Sequence, residues 1–188
     1  ISSSFTLSAK EICVITPTFN RNKQLKKLLD TLGQQTSSVG NILIADGAGK
    51  ANVIVENCKK DLPVSWLKCP IAGQIQQRNF ALKELPVDCK VVIYFDDDIQ
   101  LESNAIEEMV KFWNNQSTVP AGVSFNVTNS PDQPDNIFRH LFCMATEPRG
   151  KVWRSGYSSP IANVEENMTS EWLSGGVTAW RKDVLETY

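Results

Sequence analysis

The sequence predicts an α/β fold with a mostly parallel central sheet flanked by helices and a loop-rich C-terminal half. Two observations predict it. Short apolar runs rich in β-branched residues alternate with stretches of helical period through residues 1–119, and strands alternating with helices imply parallel βαβ units. After Pro120 the pattern loosens, with Pro131, Pro134, Pro148 and Pro160 interrupting any long element, so this half reads as loops and short strands. With 188 residues, 41% of them hydrophobic and 21% charged, the chain fills one core rather than two, and a single domain spanning residues 1–188 is expected.

The elements follow in order. Ile12-Cys13-Val14-Ile15 reads as the first strand, and Leu25, Leu28, Leu29 and Leu32 repeat at the spacing of an amphipathic helix. Ile42-Leu43-Ile44 gives a second strand, the segment from Val53 to Cys58 a weaker helix, and Val64-Ser65-Trp66-Leu67 a third strand. Residues 74–85 look helical, Val91 to Phe95 form a fourth strand, and Ile106, Met109, Val110 and Trp113 mark a strong helix.

Composition narrows the partners. A formal net charge of −2 and a pI near 5.5 argue against a nucleic-acid binder. The five cysteines, Cys13, Cys58, Cys69, Cys89 and Cys143, are odd in number and widely spaced, as expected of reduced and mostly buried thiols. No apolar run reaches membrane-spanning length and no targeting segment is visible from Ile1, so the expected location is the cytoplasm, including the inner face of the membrane reached through an acceptor.

The fourth strand ends in Asp96-Asp97-Asp98. Carboxylates packed so closely repel, so the triplet calls for a compensating partner. A divalent ion such as Mn2+ or Mg2+ suits it, because such an ion takes oxygen ligands and keeps positions open for substrate phosphates. The competing reading is an acidic start to the following helix, although one acidic residue suffices for that. Thr16-Pro17-Thr18 and Asp46-Gly47 end the first and second strands, so these residues and the triplet are expected to meet in the crevice beyond the strand ends. Neither a Gly-x-Gly-x-x-Gly fingerprint nor a phosphate loop is present, which disfavours dinucleotide and P-loop chemistry.

Val14-Ile15-Thr16-Pro17-Thr18-Phe19-Asn20-Arg21, Ile44-Ala45-Asp46-Gly47, Gln77-Arg78-Asn79-Phe80-Ala81, the aspartate triplet and Trp172-Leu173-Ser174-Gly175-Gly176 together resemble a family 2 glycosyltransferase of the Rossmann-like GT-A fold. The resemblance runs over nearly the whole chain. It implies a nucleoside-diphosphate sugar donor, a divalent metal, inversion at the anomeric carbon, and a saccharide or glycoconjugate acceptor in polysaccharide or glycoconjugate synthesis. It further implies that residues 1–119 hold the donor and residues 120–188 the acceptor. Pro17, Thr18, Asn20, Arg21, Asp46, Arg78, Asn79, Asp96 and Asp97 would then serve the donor, with Thr18 and Asp46 at the nucleotide base. Asp98 and Asp96 would hold the metal, and Trp172, Gly175 and Gly176 would line the acceptor side. For Asn20 the helix N-cap is the competing role, and for Arg78 an exposed helix position.

Relatives place an acidic pair after the segment matching Arg181 to Glu186, whereas this sequence stops at Tyr188. The resemblance therefore implies a chain cut short of the usual base, with Glu171 the candidate in its place. The lone His140 reads as a surface or core residue rather than a ligand. Two alternatives stand beside the glycosyltransferase. A haloacid-dehalogenase-type phosphohydrolase also uses an Asp-x-Asp after a strand, but on its first strand rather than its fourth. A non-catalytic nucleotide-sugar or carbohydrate-binding module would bind without turnover.

Overall fold

The computed structural model describes residues 5–131 and 134–187; Ile1 and Tyr188, on which the expectations about the chain ends rest, lie outside them. A 3₁₀ turn at Ala9–Glu11, closed by a capping box from Ser8, leads into β1 (Ile12–Thr18), followed by α1 (Asn22–Gly33), β2 (Asn41–Asp46), α2 (Asn52–Cys58), β3 (Val64–Lys68), α3 (Gln74–Leu82), β4 (Val91–Phe95) and α4 (Ala105–Asn114). Then come β5 (Gly122–Ser124), α5 (Ile137–Leu141), β6 (Val177–Arg181) and α6 (Lys182–Leu185).

One six-stranded sheet has the order β3-β2-β1-β4-β6-β5. The first four strands are mutually parallel and β6 runs antiparallel to β4, pairing Phe95 with Val177 and Val91 with Arg181. β1, β2 and β4 are buried along nearly their whole length because helices cover both faces of a parallel sheet. On one face Cys13, Ile15, Leu43, Ala45, Val92 and Tyr94 pack with Ala81 of α3, and Phe80, Leu82 and Leu185 close over them. Alternate residues point to the other face. Leu25, Leu28, Leu29 and Leu32 of α1 and Ile106, Met109 and Trp113 of α4 are all buried, as the helical spacing predicts.

The topology positions the site. From β1 the chain moves to β2 and β3 on one side, then returns to β4 on the other side of β1. Right-handed crossovers in opposite directions leave a crevice at the carboxyl ends of β1 and β4. β4 coincides with the expected strand, β1 runs on to Thr18, and β6, one of the short strands expected after Pro120, joins the central sheet beside β4.

The chain divides into two compact units, one of residues 1–123 and 176–188 and one of Ser124–Gly175. The second holds α5, capped by the Asn136 side chain, and a bridge pairing Val152 with Ser158. All five cysteines are free, with Cys13, Cys69 and Cys89 buried. Among the described residues no helix is long and apolar enough to cross a membrane.

Candidate active site

Beyond the ends of β1 and β4 lies a cleft of about 500 Å³, lined by Pro17, Thr18, Phe19, Arg21, Gln74, Gln77 and the three aspartates. Its volume lies in the range of small-molecule sites. The aspartates leave the strand in three directions, because successive side chains at a strand end diverge. Asp97 turns inward and is buried, with Oδ2 accepting from Thr18 Oγ1 at 2.8 Å and Oδ1 held by Arg21 Nη1 at 2.9 Å. Burial pushes its carboxyl above the ordinary aspartate value, against the opposing pull of the Thr18 hydroxyl and Arg21.

Asp98 is half exposed and meets Arg21 Nη2 through Oδ2 at 2.9 Å, so one guanidinium spans two consecutive carboxylates. Asp96 accepts from Arg78 Nη2 at 2.8 Å and Gln74 Nε2 at 2.7 Å, both through Oδ1. Arg78 is largely buried, and its guanidinium carbon lies 5.1 Å from the centre of the Tyr94 ring, so its role as a solvated helix residue does not hold. Burial raises the Tyr94 hydroxyl to about 12 despite Arg78, so the ring stays neutral beneath that cation. Two arginines thus supply two of the three charges that would compensate the triplet.

Gly176 seats Asp96. Its carbonyl accepts the Asp96 N–H at 3.0 Å, and a Cβ there would overlap Asp96 Oδ2 and lie 3.0 Å from Asp96 Cγ. Its observed place is therefore beneath a carboxylate of the triplet. Gln77, buried in α3, donates from Nε2 to the carbonyls of Thr18, at 2.9 Å, and Ala45, and accepts the Gly73 N–H through Oε1 at 3.1 Å. One side chain thereby ties the ends of β1 and β2 to the start of α3.

Three sequence expectations fall elsewhere. Asp46 is 1% exposed and absent from the cleft lining. Its Oδ1 accepts from Ala48 N and Gly49 N, both at 2.9 Å, and its Oδ2 from Ala51 N at 2.7 Å and Trp66 Nε1 at 3.0 Å. Both oxygens are spent on the loop after β2, so the structure gives this carboxylate a loop-holding place rather than one facing a nucleotide base. Burial pushes its carboxyl upward, but the bonds from Ala51, Trp66, Ala48 and Gly49 outweigh it and hold it below the usual range. Asn20 does not cap α1; it takes a left-handed φ of 56°, which asparagine tolerates, and Arg21 stands at the N-cap position without a side-chain cap bond. Asn79 is exposed on α3 and is not among the lining residues.

Glu171, Trp172 and Gly175 belong to the second unit. Glu171 accepts the Val152 N–H through Oε2 at 2.8 Å while its own N–H bonds the Gly150 carbonyl at 2.8 Å. Trp172 is partly buried and donates from Nε1 to the Ser159 carbonyl at 2.9 Å. Gly175 is exposed. His140 lies on the surface, 3.0 Å from Asp135.

The sequence reading assigned no role to Phe19, Gln74 or Gln77. Phe19 is half exposed in the cleft, an apolar ring left open to solvent directly after a buried strand. That exposure is the signal, and the sequence does not carry it.

Among the described residues no three His, Cys, Asp or Glu side chains form a ready-made metal cage. The donor set still suits a hard divalent ion. Asp96 Oδ2 and Asp98 Oδ1 have no hydrogen bond among the described residues, and an ion held by one or two carboxylates keeps positions for substrate phosphates.

The family described as Glycosyl transferase family 2 matches residues 13–188. An uncharacterized glycosyltransferase of Bacillus subtilis (strain 168), YwdF, is 25% identical over 177 residues, covering 86% of this chain and 65% of the relative. This chain therefore spans less than two thirds of that relative's length. S. aureus TarS 1-349 superposes with a TM-score of 0.65 at 18% identity, over 94% of this chain and 48% of TarS 1-349, and the same TarS portion is also solved with UDP-GlcNAc. The mannosyltransferase PcManGT of Pyrobaculum calidifontis, solved with GDP-Man and Mn2+, gives 0.62 at 16% identity, over 99% of this chain and 50% of PcManGT. At such identities these structures establish the shared fold.

Proposed function

The chain belongs to glycosyl transferase family 2, and from that membership we propose that it moves a sugar from a nucleoside-diphosphate donor to an acceptor hydroxyl, with inversion at the anomeric carbon and with assistance from Mn2+ or Mg2+. The observation that carries the reading is the cluster of Thr18, Arg21, Arg78 and the three aspartates at the switch between β1 and β4. Ligands of open α/β sheets bind at that place.

The residues divide the work. Phe19 and Pro17 offer an apolar wall to the nucleotide base, since an aromatic face stacks on a heterocycle. Asp96 and Asp98 would hold the divalent ion through the oxygens that carry no hydrogen bond. When bound, the ion supplies positive charge to the diphosphate that departs. Arg21, in the cleft lining, and Arg78, behind it and paired to Asp96, add guanidinium charge where negative charge grows in the transition state. Thr18 fixes Asp97, and Asp97 in turn orients Arg21. Gln77 and Gly176 keep the strand ends and Asp96 in place.

Glu171 is the proposed carboxylate that takes the proton of the acceptor hydroxyl, through Oε1, which has no hydrogen bond among the described residues. Trp172 and Gly175 accompany it on the acceptor side, and the product belongs to polysaccharide or glycoconjugate synthesis. Support for a nucleotide-sugar donor and a metal also comes from the neighbours solved with UDP-GlcNAc and with GDP-Man and Mn2+.

The test is release of nucleoside diphosphate from a panel of UDP-, GDP-, CDP- and dTDP-sugars with Mn2+, followed by chromatography, for the wild type and Arg78→Gln. The reading expects release from one donor class that chelator abolishes and Arg78→Gln reduces by about two orders of magnitude or more. Binding without release from any donor, with and without candidate saccharides, would favour a carbohydrate-binding module.

A further inference from the structure

We infer that Arg21 is an electrostatic gate: in the donor-free protein its guanidinium neutralises Asp98 through Oδ2, beside the unbonded Oδ1 that a divalent ion would use, so metal binding at Asp96 and Asp98 is conditional on the arrival of a diphosphate. The inference rests on reading the cleft as a nucleotide-sugar site and assigns the order in which its components assemble.

The two arms of the Arg21 fork are not equivalent. Nη1 holds Asp97 Oδ1 at 2.9 Å, and the Asp97 side chain is only 4% exposed. Its other oxygen is fixed by Thr18. A buried carboxylate does not give up its counter-charge readily, so this arm is an anchor. Nη2 holds Asp98 Oδ2, also at 2.9 Å, but the Asp98 side chain is 50% exposed and that of Arg21 45% exposed. Exposed ion pairs exchange cheaply. Arg21 can therefore release Asp98 while pivoting on Asp97, and the freed Nη2 then faces the cleft where the phosphates would lie.

Charge balance gives the reason for the order. Three carboxylates face two guanidiniums, Arg21 and Arg78, which leaves one formal negative charge. A divalent ion arriving alone would convert this to one positive charge and would compete with Arg21 for Asp98. A diphosphate arriving with it restores a negative balance and gives Nη2 a new anionic partner, for which a guanidinium fork is well suited. Cation and nucleotide thus bind with positive coupling, and the coupling is reciprocal.

The test measures Mn2+ affinity from the loss of the electron paramagnetic resonance signal of free Mn2+, first alone and then with UDP or GDP. For the wild type, Mn2+ alone binds weakly and the fitting nucleotide tightens it by at least about tenfold. For Arg21→Gln, Mn2+ alone binds about tenfold more tightly than to wild type, and the nucleotide effect largely disappears. Arg21→Lys, which keeps a charge but cannot span two carboxylates, falls between them. A merely structural arginine would weaken both affinities when lost. The gate is overturned if Arg21→Gln and Arg21→Lys, each melting within a few degrees of wild type, bind Mn2+ alone no more tightly than wild type does. That arm needs no nucleotide, so it is judged separately from the donor reading, which fails if neither UDP, GDP nor any other nucleoside diphosphate binds the wild type.

Discussion

Replacing Asp46 separates a loop-holding carboxylate from a nucleotide contact. In Asp46→Ala four donors lose their acceptor: the N–H groups of Ala48, Gly49 and Ala51 and the indole of Trp66. Ala48 and Gly49 lie at a partly exposed turn, where water can replace the carboxylate. Ala51 is 1% exposed and Trp66 only partly exposed, so these two bear most of the loss. A buried donor left without a partner costs about 1–3 kcal/mol, and two such donors give about 4 kcal/mol. For a domain of this size that corresponds to a fall in melting temperature of roughly 10 °C. Asp46→Asn keeps the shape but turns an NH₂ toward one pair of donors, so about half to all of that loss is expected. The pH dependence has a defined sign. The folded carboxyl lies below its unfolded value, so its contribution is complete above the unfolded pKa of about 3.9 and is lost as pH falls through the depressed folded value. The difference between wild type and variant should be flat from about pH 5 to 8 and shrink on acidification. Melting curves by circular dichroism across this range, with nucleotide titrations of each variant, make the measurement. A variant that melts within about 1 °C of wild type yet loses nucleotide affinity would refute the reasoning and return Asp46 to the nucleotide base.

Two further substitutions probe the triplet and its seat. Asp98→Asn removes a half-exposed charge paired, among the described residues, only with Arg21, so stability should change by less than about 1 kcal/mol while metal-dependent donor turnover is lost; a large fall in melting temperature without metal would instead make the triplet structural. Gly176→Ala drives a methyl into Asp96, and because Arg78 and Gln74 hold that carboxylate, its displacement should lower Mn2+-dependent nucleotide affinity about tenfold or more, at a stability cost of about 1–3 kcal/mol. Unchanged affinity in calorimetric titration of Gly176→Ala would show that the position of Asp96 is not critical.

Much of the architecture around the cleft was legible because its signals are local. The leucine spacing of α1 and the apolar run of β4 specify their elements directly, and the residues ending β1 and β4 meet as parallel topology requires. What stayed hidden depends on contacts distant along the chain. Arg21 and Asp98 are 77 residues apart, so the sequence showed that the aspartates needed a counter-charge but not that arginines supply it. Short strands were expected after Pro120, but the place of β6 inside the central sheet was hidden because it comes from pairing with β4. Asp46 looked like its counterparts on the other strand ends, and only the curl of the following loop reveals that both of its oxygens are spent. Asn20 misled for a related reason, since asparagine suits both an N-cap and a left-handed turn, and the chain here uses the turn. Nothing in the sequence indicates that Glu171 bonds the backbone of Val152, 19 residues away.

Donor and metal are proposed to share the crevice between the ends of β1 and β4. A crystal structure of the protein with Mn2+ and the nucleoside diphosphate it binds, phased near the manganese absorption edge, tests this most directly. The expected result is an anomalous peak in direct contact with an oxygen of Asp98 or Asp96, the diphosphate bound against that ion, and Arg21 still paired to Asp97. An anomalous peak and nucleotide elsewhere on the molecule, with Asp96 and Asp98 still paired to Arg78 and Arg21, would contradict it.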